Sequence, residues 1–134
     1  MELLKGDTSS CGCIRRSSGE VLINNILTQN NIIFKTEYTF KDLLSEYGYK
    51  LKYDFAIFND NNNLLYIIEY DGKQHFEDID FFGNNLKENQ NRDKIKNEYC
   101  LTHNIPLYRI PYYDKLKIKT IQDILQEKYL IKNL

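Results

Sequence analysis

Two carboxylates and an imidazole stand within one short run, Glu69-Tyr70-Asp71-Gly72-Lys73-Gln74-His75. The run closes an apolar stretch, Leu64-Leu65-Tyr66-Ile67-Ile68, that reads as a buried strand. Carboxylates at the end of a core strand are costly unless they are paired or bind a cation. Glu-x-Asp places both on one face of a strand, because side chains alternate with a period of two. A glycine turn then brings up His75, whose imidazole can take a proton from water or give one to a leaving oxygen near neutral pH. These residue types suit a metal ion and an activated water.

A third carboxylate follows from hairpin geometry. Leu51–Phe58 reads as a strand, and the turn cluster Asp60-Asn61-Asn62-Asn63 joins it to Leu64–Asp71. A symmetric loop over residues 60–63 sets Asp54 directly opposite Glu69. Like charges opposed across strands are destabilising. A divalent cation relieves them, and all-oxygen ligands suit magnesium or manganese. Asp54, Glu69 and Asp71 are thus the candidate metal ligands. The alternative is that Lys52, Lys73 or Arg109 pairs with a carboxylate and no metal binds. A register slip of one residue would turn Asp54 to the other face.

Three further residues are ambiguous. Asp93, in Asn91-Arg92-Asp93-Lys94, is either a solvated helix residue or a carboxylate that orients His75. Glu20 either favours a helix start or joins the site. Arg109, a charge inside the apolar strand Leu107-Tyr108-Arg109-Ile110, either contacts a phosphate or neutralises the carboxylates.

The elements that must position these groups run α-β-β-β-α-β-α. Ser17 or Ser18 caps a helix to about Asn30, with Leu22, Ile23, Ile26 and Leu27 on one face. A strand from Ile32 to Phe40 is expected next, with a loop through Tyr49. After the hairpin, residues 72–85 form an acidic and aromatic loop. A helix spans Leu86 to about His103, a strand Ile105–Ile110, and a last helix about Lys119–Ile131. Strands two and three are apolar on both faces, which implies an α/β (α+β) sheet covered by helices on each side.

Length and composition bound the rest. The 134 residues, 42% hydrophobic and 28% charged, make one domain with a sizeable core. No window approaches the roughly 18 apolar residues of a membrane span, and the N-terminus lacks an apolar signal core. A cytoplasmic protein is expected, with no membrane partner. The net charge of -1 is unevenly spread. Residues 53–93 carry 9 acidic and 3 basic side chains, and residues 94–134 carry 4 and 8. An acidic centre beside a basic third fits a metal site next to a polyanion-binding surface, and equally fits chance clustering. The three cysteines suggest no disulfide framework. Cys100 reads as a buried small hydrophobe. Cys11 and Cys13 supply at most two ligands where a structural zinc takes four, so zinc is not expected from this chain alone.

Together, Gly19-Glu20, Tyr53-Asp54-Phe55, Glu69-x-Asp71-Gly72-x-Gln74-His75, Arg92-Asp93 and Leu107-Tyr108-Arg109-Ile110 resemble the PD-(D/E)xK nuclease superfamily. The similarity is to its branch of very-short-patch-repair endonucleases and related phage homing endonucleases, and it covers residues 17–112. The resemblance implies a restriction-endonuclease-like αβββαβ core with a mixed central sheet. It also implies a magnesium- or manganese-dependent endonuclease acting on double-stranded DNA in a bacterial or phage-infected cell. By the branch's pattern Glu20, Asp54, His75 and Asp93 form the active-site set, with His75 acting on the attacking water. By the broader pattern Asp54 and Glu69 are the metal ligands. The superfamily's lysine position holds Asp71 here, which favours the histidine mechanism. Lys73, Gln74, Arg92 and Arg109 are then the expected DNA contacts. Residues 1–16, with Ser10-Cys11-Gly12-Cys13, look like the tail of a small zinc-ribbon module preceding the endonuclease-like domain at 17–134. A homodimer, or a larger assembly with an upstream DNA-binding module, would fit.

Overall fold

Helix α1 (Ser18–Gln29) starts as its sequence dictates. Ser17 is the cap: its hydroxyl accepts from Glu20 N–H, and the Glu20 carboxylate reaches back to Ser17 N–H. This reciprocal box satisfies two N–H groups that a helix start leaves orphaned. Ile23, Ile26 and Leu27, at helical spacing, are buried. The computed structural model describes residues 17–72 and 85–132, with the side chains of 85–89 excepted. The leader 1–16 and the segment 73–84 with Lys73, Gln74 and His75 therefore lie outside the described residues.

Four strands follow: β1 (Ile33–Leu44), β2 (Lys50–Phe58), β3 (Leu64–Asp71) and β4 (Leu107–Pro111). Helix α2 (Asn85–Thr102) connects β3 to β4. The sheet order is β1-β2-β3-β4, antiparallel across the first two pairs and parallel between β3 and β4. This is an α+β fold with a mixed sheet and the expected αβββαβ order. The hairpin register is the one that turn symmetry requires: Phe55 pairs with Ile68, Ala56 with Ile67 and Ile57 with Tyr66. A bulge next to the turn shifts Phe58 onto Leu64. Asn59 shapes the turn, its side-chain oxygen accepting from Asn61 and Asn63 N–H at 2.9 Å.

The sheet has a core on each face. On one side Ile23, Ile26 and Leu27 of α1 pack with Phe55, Ile57, Ile68 and Ile110. On the other, Cys100 of α2 packs with Tyr53, Ala56, Phe58, Ile67 and Leu107. Cys100 is the buried small residue expected. Each fully buried aliphatic or aromatic side chain contributes about 1.5–3 kcal/mol.

Midway, β1 and β2 exchange faces together. Phe34 and Phe55 belong to the α1-side core, whereas Tyr38, Phe40 and Tyr53 belong to the α2-side core. A regular strand would put Tyr53 and Phe55 on one side. The pairing continues across the change, Thr36 with Phe55 and Tyr38 with Tyr53. Between these pairs lie Glu37, whose φ of 51° is left-handed, and Asp54. A glutamate there is a strained residue in mid-strand.

Two expected elements differ. The first strand runs on to Leu44 instead of stopping at Phe40, because Leu43 is drawn into the α2-side core and Leu44 pairs with Lys50. The last helix is broken. After a 3-10 turn (Tyr112–Lys117), the short helix α3 (Ile121–Ile124) and a second 3-10 turn (Glu127–Tyr129) stand where one helix over Lys119–Ile131 was expected. The chain must become extended at its end to pair with the open edge of β4: Leu130 bridges Tyr108, and Ile131 N–H donates to Leu107 O at 2.9 Å. Among the described residues no helix is long and apolar enough to cross a membrane.

Candidate functional site

The hairpin ladder changes character at Asp54 and Glu69. Asp54 N–H donates to Glu69 Oε2 at 2.6 Å, and Tyr70 N–H donates to Asp54 Oδ2 at 2.8 Å. Carboxylates stand where backbone carbonyls would normally accept. The face exchange at Glu37 and Asp54 leaves the Asp54 side chain committed to neither core and turned toward β3. Burial, and then the negative charge of Glu69, push the Asp54 carboxyl up to about 8 from its ordinary 3.8. Tyr70 N–H offsets part of this, and Glu20 of α1 adds to it. Among the described residues Asp54 Oδ1 has no hydrogen-bond partner.

Glu69 is buried, and a lysine from α2 meets it. Lys96 Nζ donates to Glu69 Oε1 at 2.5 Å and lies 5.0 Å from the centre of the Tyr53 ring. Tyr53 in turn donates its hydroxyl hydrogen to Lys96 O at 2.9 Å, and the Cys100 thiol donates to that hydroxyl at 3.4 Å. Lys96 therefore has little freedom to turn away from Glu69.

Asp71 goes elsewhere. Parallel pairing aligns Glu69 with Arg109 and Asp71 with Pro111. Arg109 NH1 donates to Asp71 Oδ1 at 2.7 Å and stands 3.9 Å from Glu69 Oε1. Its Nε donates to Asn97 Oδ1 at 2.7 Å, and its NH2 lies 3.5 Å from Asp93 Oδ1. Burial opposes the guanidinium charge, yet Asp71, Glu69 and Asp93 outweigh it and raise its proton affinity. Arg109 is thus the neutralising residue of the two roles open to it. Buried among three carboxylates, it is not placed as a phosphate contact.

The expected convergence of three carboxylates reduces to a pair, Asp54 with Glu69. Asp71 and Asp93 belong to the Arg109 cluster. Glu20 lies close enough to act electrostatically on Asp54, with Oε1 engaged in the α1 cap. Arg92 is exposed on α2. The placement of His75, Lys73 and Gln74, and so whether Asp93 orients His75, falls outside the described residues.

Lys96 and Asn97 escaped the sequence reading, although a signal was present. Asp93, Lys96, Asn97 and Cys100 share the spacing of one helix face. Counted back from the apolar Cys100, the buried stripe of α2 turns polar where it crosses the acidic strand end.

A cation fits this pair only in one style. Among the described residues no group of three or more His, Cys, Asp or Glu side chains is disposed to hold a metal. Zinc, which takes four nitrogen or sulfur-rich ligands, is poorly served. Magnesium commonly keeps several waters and takes one or two carboxylates. The open Asp54 Oδ1 and the second lone pair of Glu69 Oε2 answer that description.

Fold and site together define an α+β protein in which an acidic pair lies between strands and is flanked by the half-buried Lys96 and the buried Arg109. The chain belongs to the DUF2726 family, described as a protein of unknown function, whose model matches residues 48–129. That span takes in Asp54, Glu69, Asp71, Lys96 and Arg109, and leaves out α1 with Glu20. No curated protein and no solved structure matches the chain.

Proposed function

We propose that the chain is a divalent-metal-dependent DNA endonuclease of the PD-(D/E)xK type, similar to the very-short-patch-repair and phage homing branch. The observation that carries this reading is Asp54: half-satisfied, apposed to Glu69 and pushed toward neutrality by burial and then by the Glu69 charge. A perturbed carboxylate set against a second carboxylate is characteristic of functional sites. Asp54 and Glu69 would hold magnesium or manganese. When bound, the ion supplies Lewis-acid polarisation of the phosphate and a water of lowered pKa. Lys96 holds Glu69 in place and contributes positive charge where the phosphate oxygens become more negative. Arg109, with Asp71 and Asp93, pins the end of β3 to β4 and α2. His75 is the proposed base for the attacking water, and Lys73, Gln74 and Arg92 the proposed contacts to duplex DNA. A cytoplasmic setting, in a bacterial or phage-infected cell, goes with this function.

The test is nicking of supercoiled plasmid by the full chain with magnesium. Wild type converts plasmid to the open form and EDTA stops it. Asp54→Asn and Glu69→Gln each lower the rate at least 100-fold, and His75→Ala lowers it strongly. An inert wild type, or a fully active Asp54→Asn variant, would sink the proposal.

A second reading is a nuclease-like DNA-binding module without catalysis. It is favoured by Lys96 and Arg109, which already neutralise Glu69 and Asp71. Salt-dependent DNA binding that survives EDTA, with no nicking by wild type, would support it.

A further inference from the structure

The turn between β1 and β2 is built more firmly than its position requires. Ser45 N–H donates to Tyr49 O at 2.7 Å, and Gly48 N–H donates to Ser45 O at 3.0 Å. The Ser45 hydroxyl accepts from Tyr47 N–H and from Tyr49 N–H, each at 3.2 Å. Gly48 takes the left-handed φ of 89° that lets the turn close. A tether to α2 completes it, Asn91 Nδ2 donating to Glu46 Oε1 at 2.7 Å. Yet the largest side chains of this fixed turn are left in water: Tyr47 is 69% exposed and Tyr49 71%. The fold holds the backbone still and presents two rings.

Between turn and helix lies a cleft of about 300 Å³, lined among others by Tyr47, Tyr49, Lys50 and Arg92. It sits on the α2 side of the sheet, as does the Glu69–Lys96 pair. Arg92 precedes Lys96 by about 6 Å of helix rise. Lys50 precedes Asp54 by about 13 Å of strand. Cations and exposed rings lining one cleft, on the face of the sheet that carries the acidic pair, match a nucleic-acid strand, with phosphates to neutralise and bases to stack.

We propose that this turn is a stacking platform for unpaired DNA bases, with Tyr47 and Tyr49 supplying the ring faces and Lys50 taking a neighbouring phosphate. The inference deepens the endonuclease reading and rests on it for the identity of the polyanion. It specifies a substrate with a single-stranded stretch beside the cut. Every base has a π-face, so the platform adds affinity without reading sequence.

The test is fluorescence anisotropy of a labelled oligothymidylate and of a duplex of equal length, titrated with the full chain in EDTA. Wild type binds the single strand more tightly than the duplex. Tyr47→Ala with Tyr49→Ala weakens single-strand binding at least tenfold, whereas the paired Phe substitutions preserve it because the ring and not the hydroxyl is used. Lys50→Ala reduces the salt slope by about one. Unchanged affinity in the double Ala variant, or equal losses in the Ala and Phe pairs, overturns the inference. Plasmid nicking separates the two proposals. Nicking with turn-independent DNA binding overturns the platform alone, and turn-dependent binding without nicking overturns the hydrolytic reading alone.

Discussion

Asp54 carries the most informative titration in the molecule. The unfolded chain releases this proton near 3.8, while burial and Glu69 make the folded chain keep it to about 8. Between those values the folded state binds more protons, so Asp54 makes stability fall as pH rises from about 4 to about 8, and no further beyond. Asp54→Asn removes the titration and keeps an oxygen for Tyr70 N–H. Its Tm should gain on wild type as pH goes from 5 to 8, and parallel Tm–pH curves for the two proteins would refute this. A bound cation displaces the same proton. Magnesium affinity of wild type, followed by calorimetry, should therefore strengthen toward pH 8. Arg109 makes a second case. Arg109→Met removes the buried guanidinium that Asp71, Glu69 and Asp93 share, and should cost about 3–5 kcal/mol in urea unfolding. Adding Asp71→Leu should recover part of that loss. The spacing Glu69-x-Asp71 did reveal two carboxylates on one face. It did not reveal which cation each would take, because the alignment of Arg109 with Glu69 depends on a parallel pairing made through a distant helix.

At the scale of elements, the junction of α1 with β3 depends on a glycine. A Cβ on Gly19 would lie 2.0 Å from the Tyr70 ring, so the helix start and the strand end touch only because residue 19 lacks a side chain. Gly19→Ala should destabilise by about 1–3 kcal/mol through overpacking, and Tyr70→Leu should restore most of it. Thermal melts of the single and double variants measure this, and strict additivity would refute the contact argument. Gly19 was legible as part of a helix start, and its reason, close approach to another element, was not. The hairpin was readable because turn chemistry and alternation agree on one register. The C-terminal segment was not, because Ile121, Ile124 and Leu125 read as helix while Leu130 and Ile131 answer to the edge of β4.

Across the whole molecule, the uneven charge seen along the chain resolves in the interior. The acidic stretch 53–93 and the basic stretch 94–134 meet as Glu69 with Lys96 and Asp71 with Arg109. Part of what looked like a polyanion-binding asymmetry is therefore internal neutralisation. The C-terminal segment has a comparable duty, since Ile118, Ile124 and Tyr129 help cover Ile68 and Ile110. A chain ending at Tyr112 should bind a hydrophobic dye and lose its sharp melting transition. A cooperative melt with no dye binding would contradict that role. The exchange of faces at Glu37 and Asp54 has a consequence for how the protein opens. The β1–β2 hairpin is stitched through both cores, so neither half can peel from the sheet while the other keeps its hairpin residues. Amides of β1 and β2 on the two sides of the exchange should share one opening free energy in hydrogen exchange, as a single unfolding unit.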